Sequence, residues 1–359
     1  MTERVYMKGN EALAYGALKA GLNAYFAYPI TPSSEIPETL AKEFGNEDYP
    51  DFKVFLQSAS ELEAISMVMG AASGGLRAMT ATSSPGFSLK QEGLSYAAGM
   101  ELPLLVVNIT RGGPGLGNVA PEQSDYFQMT KGGGHGSYRL IVLAPNSVQE
   151  MASFPKIAFD LAFKYRNPVC IAGDAFTGQL KEDIVFPSIE ATEYDVSSWA
   201  VTGAKGRERH IISSFNLDPE VHAKHVTHLD QKYKSIERNE VKYESYLTDD
   251  AEIVVASFGI TSRICKSVVN KLRQKGSRIG LFRPITLWPF PYDEVRSLTE
   301  HAKRFLVVEL NTGQMVEDVR LGAEGRARVE FFGKVGGLLP TEREIEEALQ
   351  SLVEEAITA

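Results

Sequence analysis

Cysteine is scarce: Cys170 and Cys265 are the only two among 359 residues, and neither has a histidine close by in sequence. A disulfide framework and a cysteine–histidine zinc site are therefore not expected, and an iron–sulfur cluster, which needs about four thiolates, does not fit. Long apolar runs are missing too, since nothing approaches the roughly 18 consecutive apolar residues of a membrane span. The N-terminus, Met1 to Lys8, has neither the apolar segment nor the small-residue cleavage site of a secretory signal. The expectation is a cytoplasmic chain with no membrane partner. No block of basic residues occurs, and the formal net charge is −9, which argues against nucleic acid as the main partner.

What is present is globular. Hydrophobic residues make up 43% and charged residues 23% of the chain, near the averages for folded domains, and about 100 to 200 residues per domain gives two or three units. Strand-like runs alternate with helical patterns, which predicts an α/β fold with a mostly parallel sheet. Over residues 1–185 the patterns predict helices at 9–19, 61–73, 89–99 and 147–164, and strands at 24–30, 77–83, 104–110, 139–143 and 168–172. The strand at 24–30 is broken by Pro29, which fixes its end. Residues 186–248, with Pro187, Pro219 and a charged stretch from 224 to 246, read as a linker with an exposed helix. Its His222, His225 and His228 are either metal ligands on one side of that helix or part of a solvated polar face, and the polar face is the favoured reading. Residues 249–359 read as a second, smaller α/β unit, with strands at 252–258, 278–282 and 304–310 and helices at 261–275 and 342–357.

Two places carry chemistry. In Tyr28-Pro29-Ile30-Thr31-Pro32-Ser33-Ser34 a strand turns into a helix. Pro37 has no N–H and is tolerated only in a helical first turn, so the cap falls at Ser33 or Ser34. Thr31 then lies in the bend at the carboxyl end of a parallel strand, where α/β sheets bind ligands; helping to cap the helix is its alternative role. Glu61 opens a helix whose Leu62, Ala64, Ile65, Met67, Val68, Met69, Ala71 and Ala72 spread around every side, the pattern of a buried helix. A carboxylate sharing a face with Ile65 and Val68 must be neutral or paired, unless it stays wet and only complements the helix dipole. Glu63 is the competing acid. Two glycine-rich stretches, Arg111 to Asn118 and Lys131 to Gly136, match neither a Walker A nor a dinucleotide fingerprint. The first would let a carboxylate reach the Arg111 guanidinium and main-chain N–H groups, although ordinary loop glycines are the simpler account. A lone His135 is read as structural. Gly173-Asp174-Ala175 starts like a metal–diphosphate motif but lacks the next glycine, and is not taken as a metal site.

Several separated motifs occur in one order: Met7-Lys8-Gly9-Asn10-Glu11-Ala12, Tyr28-Pro29-Ile30-Thr31-Pro32, the run from Thr82 to Gly93, Arg111 to Asn118, Gln123-Ser124-Asp125-Tyr126-Phe127, Lys131 to Tyr138 and Val308 to Met315. In these the chain resembles the α-type subunit of 2-oxoacid:ferredoxin oxidoreductases over nearly its whole length, and among them the subunit of the branched-chain (2-oxoisovalerate) enzymes. The resemblance implies a thiamine-pyrimidine-binding domain followed by a transketolase C-terminal-like domain. It implies thiamine diphosphate shared with a partner subunit, with Glu61 on the pyrimidine ring nitrogen and Pro29 and Ile30 beside the cofactor. Thr31 and Arg111 would hold the substrate carboxylate. The implied reaction is attack of the thiazolium carbon on the 2-oxo carbon, loss of carbon dioxide, removal of two electrons and capture of the acyl group by coenzyme A. A β-type subunit would carry the diphosphate–Mg site and a ferredoxin-like subunit the iron–sulfur clusters, with a γ-type subunit in some forms and ferredoxin as acceptor. The 2-oxoglutarate and pyruvate enzymes of the same family, and a non-catalytic scaffold subunit, are the alternatives.

Overall fold

The computed structural model describes residues 4–186 and 191–358, the stretch 353–358 as backbone alone; Pro187 lies outside the described residues. The first part runs β1 (Arg4–Lys8), α1 (Gly9–Lys19), β2 (Ala24–Ala27), α2 (Glu35–Glu43), β3 (Val54–Gln57), α3 (Glu61–Ser73), β4 (Ala78–Thr82), α4 (Ser84–Leu89), α5 (Gln91–Gly99), β5 (Leu104–Thr110), α6 (Tyr126–Thr130), β6 (Ile141–Leu143), α7 (Val148–Tyr165), β7 (Val169–Asp174), α8 (Ala175–Gln179) and β8 (Lys181–Val185). The second runs α9 (Pro219–Asn239), β9 (Tyr243–Tyr246), β10 (Ile253–Ala256), α10 (Gly259–Gln274), β11 (Ile279–Pro284), β12 (Thr286–Trp288), α11 (Tyr292–Leu298), β13 (Arg304–Glu309), α12 (Met315–Ala323), β14 (Arg328–Gly333) and α13 (Glu342–Thr358).

Strands β4, β5 and β7 are buried along their whole length, as parallel strands covered on both faces must be, and so read in sequence as largely apolar runs, with Thr80, Thr82, Asn108, Thr110 and Asp174 as buried polar exceptions. They belong to a seven-stranded sheet in the order β12-β6-β7-β5-β4-β2-β3, parallel throughout except where β12 pairs antiparallel with β6. From β2 the chain moves outward to β3, then crosses back to β4 on the other side. The crevice between the carboxyl ends of β2 and β4 is therefore the topological switch point of the sheet, the place where open α/β sheets bind ligands. Helix α1 packs with both α2 and α7, and α3 packs with α4 and α5. A second sheet, β14-β13-β10-β11-β9, has one antiparallel edge, β9 on β11. Segment 186–248 thus lends β9 to the second sheet, and the later part of the chain lends β12 to the first.

Local boundaries follow from caps. The hydroxyls of Ser60 and Ser147 and the carboxylate of Asp218 accept N–H groups from the first turns of α3, α7 and α9, supplying partners that a helix start otherwise lacks. The helix expected at 89–99 is two helices meeting at Lys90, because Pro85 starts a helical turn five residues earlier. The helix expected at 224–246 runs instead from Pro219 to Asn239, and alongside its solvated side it buries Leu229, Tyr233 and Ile236. Its histidines serve as ties: a ring nitrogen of His225 lies 2.7 Å from the Gly99 carbonyl, and one of His228 lies 3.1 Å from Glu101 Oε1. Among the described residues no three His, Cys, Asp or Glu side chains are placed to hold a metal ion, and no helix is long and apolar enough to cross a membrane.

The two sheets are joined by buried polar contacts. Gln123 donates from Nε2 to the Phe258 carbonyl (2.9 Å), accepts at Oε1 from Leu310 N–H (3.0 Å), and its main chain bonds Leu310 and Asn311. Asp174 caps α8 and also accepts Ile260 N–H (3.1 Å), which gives this aspartate a structural task. Asp318 accepts from Tyr126 Oη (2.6 Å), Tyr292 Oη (2.5 Å) and Lys131 Nζ (2.5 Å) while almost wholly buried. Replacing it by alanine would leave those donors without their acceptor. Asp318→Ala is expected to cost about 3–5 kcal/mol, the range for breaking a buried ionic cluster, read as a lowered urea midpoint with an unchanged m-value.

Candidate active site

The turn after β2 stands on one side of the switch point. The strand ends at Ala27, three residues earlier than expected, and Tyr28 and Pro29 are exposed while Ile30 is half-buried. Ser33 closes the turn: its N–H and its hydroxyl both donate to the Ile30 carbonyl, at 3.0 and 2.7 Å. Asn10 Nδ2 secures it from α1 by donating to the Pro32 carbonyl (2.7 Å) and to Glu35 (2.8 Å). Ser34 takes the cap position of α2 and Pro37 its first turn. Thr31 does not cap the helix; it is exposed, and its hydroxyl bonds none of the described residues.

The two acids opening α3 separate cleanly. Glu63 accepts Ala59 N–H, from the residue before the cap (2.9 Å), while its own N–H donates to the cap hydroxyl Ser60 Oγ (3.2 Å), so it is tied into the helix start. It is exposed, whereas Glu61 is only 6% exposed. Glu61 packs against the turn after β4, on the other side of the switch point. A Cβ added at Gly86 would lie 2.6 Å from Glu61 Oε1 and 2.1 Å from Thr82 Oγ1, so only glycine allows this approach. The Thr82 and Ser83 hydroxyls beside it are buried without a hydrogen-bond partner, an uncommon condition. Beneath them Lys90 is fully buried, and its Nζ donates to the Glu61 carbonyl at 3.5 Å. Burial brings the Lys90 ammonium pKa down to about 8, against the opposing pull of Glu61. The expected burial of α3 on every side is not found: Glu61, Ala64, Ile65, Val68 and Ala72 face inward, but Leu62 is 49% exposed and Ser66 and Gly70 are exposed with it. The helix rests on the sheet by one face, and none of the described residues covers Leu62, Ser66 and Gly70 on the other.

Arg111 follows the last residue of β5. Its Nη1 donates to the Thr31 carbonyl at 2.7 Å and Nη2 reaches the Leu116 carbonyl at 3.5 Å, while the buried Nε has no partner. Ser84, opening α4, accepts Arg111 N–H through Oγ (3.0 Å), so the turn that packs on Glu61 also holds the arginine. The glycine loop is an ordered hairpin. Gly112 N–H donates to the Ala120 carbonyl (3.0 Å) and Gly113 N–H to Glu122 (3.2 Å), while Glu122 also accepts Ser124 Oγ (2.7 Å) and Gly336 N–H (2.5 Å). Those main-chain donors are taken, which leaves the guanidinium as the group able to meet an anion. It borders a cleft of about 710 Å³ walled by Ser84, Ser88 and the glycine loop on one side and Thr312, Gln314 and Gly336 on the other.

The structure thus ties Glu61 and Arg111 to one turn, Thr82 to Gly86, and Thr31 to it through Arg111; Pro29 lines a separate cleft with Tyr25, Ser34 and Phe55. The second glycine run does not join them: Gly133 and Gly134 N–H both donate to Tyr138 Oη (3.3 and 3.0 Å), and the exposed His135 ring lies edge-on to Tyr96. Sequence reasoning assigned no task to Thr82, Ser83, Gly86 or Lys90; they lie within the Thr82 to Gly93 motif, which was the available signal.

Comparison with known proteins places this geometry. Residues 15–245 match the family model for the thiamine diphosphate-binding region of pyruvate flavodoxin/ferredoxin oxidoreductases, and residues 251–345 match core domain II of pyruvate:ferredoxin oxidoreductase. The ketoisovalerate oxidoreductase subunit VorB of Methanothermobacter marburgensis is 47% identical over 98% of both chains. The 2-oxoglutarate synthase subunit KorA of the same organism is 38% identical over 94% of this chain and 96% of its own. Among solved structures, a 2-oxoglutarate:ferredoxin oxidoreductase from Magnetococcus marinus with 2-oxoglutarate, coenzyme A and succinyl-CoA bound superposes with a TM-score of 0.87 at 26% identity; it covers 98% of this chain, which spans 65% of that one.

Gly86→Ala tests the closeness of the Glu61 contact. The added methyl forces Glu61 or Thr82 aside, and the expected cost is about 1–3 kcal/mol, measured by thermal melting, with a displaced Glu61 carboxylate in a crystal structure of the variant.

Proposed function

The chain belongs to the 2-oxoacid:ferredoxin oxidoreductase family, and from that membership we propose that it is the α-type subunit of an enzyme that oxidatively decarboxylates 2-oxoisovalerate to acyl-coenzyme A and passes the electrons to ferredoxin. The observation that carries the reading is the enclosed Glu61 carboxylate, with orphaned Thr82 and Ser83 hydroxyls and a glycine-lined approach at a switch point. These features fit the aminopyrimidine half of thiamine diphosphate: a flat polar ring needs a carboxylate on one nitrogen, further polar partners, and backbone able to come close. Thiamine diphosphate, when bound, supplies the acidic thiazolium carbon and the electron sink that decarboxylation of a 2-oxoacid requires.

In this reading Glu61 holds the proton at the pyrimidine ring nitrogen, at the mouth of a water-poor pocket where such a hydrogen bond is strong. Pro29 and Ile30 border the ring. Thr31 offers a free hydroxyl, and Arg111 its unpartnered Nε, to the substrate carboxylate, a charge-assisted contact that fixes the 2-oxo carbon in place. Residues 1–185 form the pyrimidine-side domain, 186–248 the connection and 249–359 the transketolase C-terminal-like domain, with β9 and β12 exchanged between sheets. The relatives are named as subunits, and the sequence carries neither a diphosphate motif nor cluster cysteines. The reading therefore assigns the diphosphate and Mg to a β-type subunit and the iron–sulfur clusters to a ferredoxin-like subunit, with a γ-type subunit, ferredoxin and coenzyme A completing a cytoplasmic complex. The exposed side of α3 suits a site closed by a partner.

The test is coenzyme A-dependent reduction of a viologen dye by the complex reconstituted with its partner subunits. Activity on 2-oxoisovalerate above that on 2-oxoglutarate or pyruvate is expected; a preference for 2-oxoglutarate would overturn the substrate assignment. Glu61→Gln is expected to lower kcat by about 100-fold or more, and unchanged turnover would leave a scaffold subunit instead. Arg111→Lys keeps the charge but loses the planar fork, and should raise KM for the 2-oxoacid about tenfold with a smaller effect on kcat.

A further inference from the structure

Lys90 sits at the joint between α4 and α5, its main-chain N–H donating to the Gly86 and Phe87 carbonyls (3.2 and 3.1 Å). It is among the largest side chains with no exposure at all. An ammonium has three donors, and a buried polar group is costly unless they are met; this one has a single hydrogen bond, to the Glu61 carbonyl, at the 3.5 Å limit of such contacts. The charge that faces it is that of Glu61 on α3. Other acids nearby are committed elsewhere. Asp125, from the α6 side, bonds Asn108 and Gln128. Glu92 on α5 turns outward to Tyr96, and Glu63 accepts the Ala59 N–H at the start of α3. A buried cation and a buried anion thus lie on adjoining elements, the ammonium bound to the main chain of the residue that carries the carboxylate.

We propose that Lys90 is a positioning residue acting through Glu61: its buried ammonium, bound at the first residue of α3, and the enclosed carboxylate form a charge pair that holds the carboxylate against the Thr82–Gly86 turn. The part played by Glu61 in turnover rests on the reading above; the pair itself does not. Removing one member of a buried pair leaves the other uncompensated, whereas removing both leaves no lone charge.

A double-mutant cycle on the cofactor-free full chain tests the pair by urea unfolding of Lys90→Met, Glu61→Gln and the double variant. The double variant is expected to be at least tenfold more stable, in its unfolding equilibrium constant, than the product of the single effects. Single effects that simply multiply would overturn the proposal. Should Lys90→Met fail to fold, the double variant decides: its folding supports the pair, and its failure counts against it. In the reconstituted complex kcat is expected to fall about tenfold in Lys90→Met with KM for the 2-oxoacid little changed, and to be restored in Lys90→Arg, which keeps the charge; an undiminished kcat in Lys90→Met overturns the positioning role. Full turnover in Glu61→Gln defeats the catalytic reading while the cycle still judges the pair. An inactive Glu61→Gln with additive losses and an undiminished kcat in Lys90→Met defeats the Lys90 proposal alone.

Discussion

The close approach of the β4–α4 turn to the first residue of α3, permitted by the absent side chain at Gly86, is the constraint on which the site depends. It puts a carboxylate into an enclosed place, and an enclosed carboxylate has to be answered by a partner. Lys90 stands on the inner side, and the pocket on the outer. Because Ser84 of the same turn holds the Arg111 main chain, and Arg111 holds the Thr31 carbonyl, one short segment sets the places of all three residues to which chemistry is assigned. The parallel register of β2, β4 and β5 aligns the ends of those strands and makes the segment reachable from each.

The second sheet contributes through contacts rather than through reacting groups. Glu122 ties the arginine hairpin to Gly336, and Gln123 ties the next residue to the end of β13. The hairpin that carries Arg111 is therefore braced from both halves of the chain. Its glycines serve tight reversal: Gly117 has φ +54, and a Cβ there would lie 1.8 Å from the Gly112 carbonyl oxygen. Asp318 and Asp174 do similar work deeper in the junction. An aspartate that looked like half of a metal motif is, in the fold, a helix cap shared between two units.

The elements legible from sequence were those whose causes are local. Helices α1 and α3 have their expected bounds because a hydrophobic period and an acidic first turn sit within a few residues of each other. The strands buried on both faces announced themselves as apolar runs. What escaped was β1, β3, β8, β9, β12 and β14, short or half-exposed strands such as Lys181–Val185, whose polar alternation means nothing until a partner lies beside it. The exposed side of α3 escaped for a related reason, since composition around a helix cannot tell a core from a surface awaiting another chain.

Residue type and motif order alone were enough to single out Thr31, Glu61 and Arg111 and the α/β class, because hydrophobic period, proline placement and a misplaced carboxylate are properties of a chain segment. Only the tertiary structure decided that Glu61 rather than Glu63 is enclosed, that Arg111 reaches the turn bearing Thr31, and that Lys90 lies beneath the carboxylate. The residues involved are up to 80 positions apart, and what joins them is strand order, a contact between segments that no local pattern encodes.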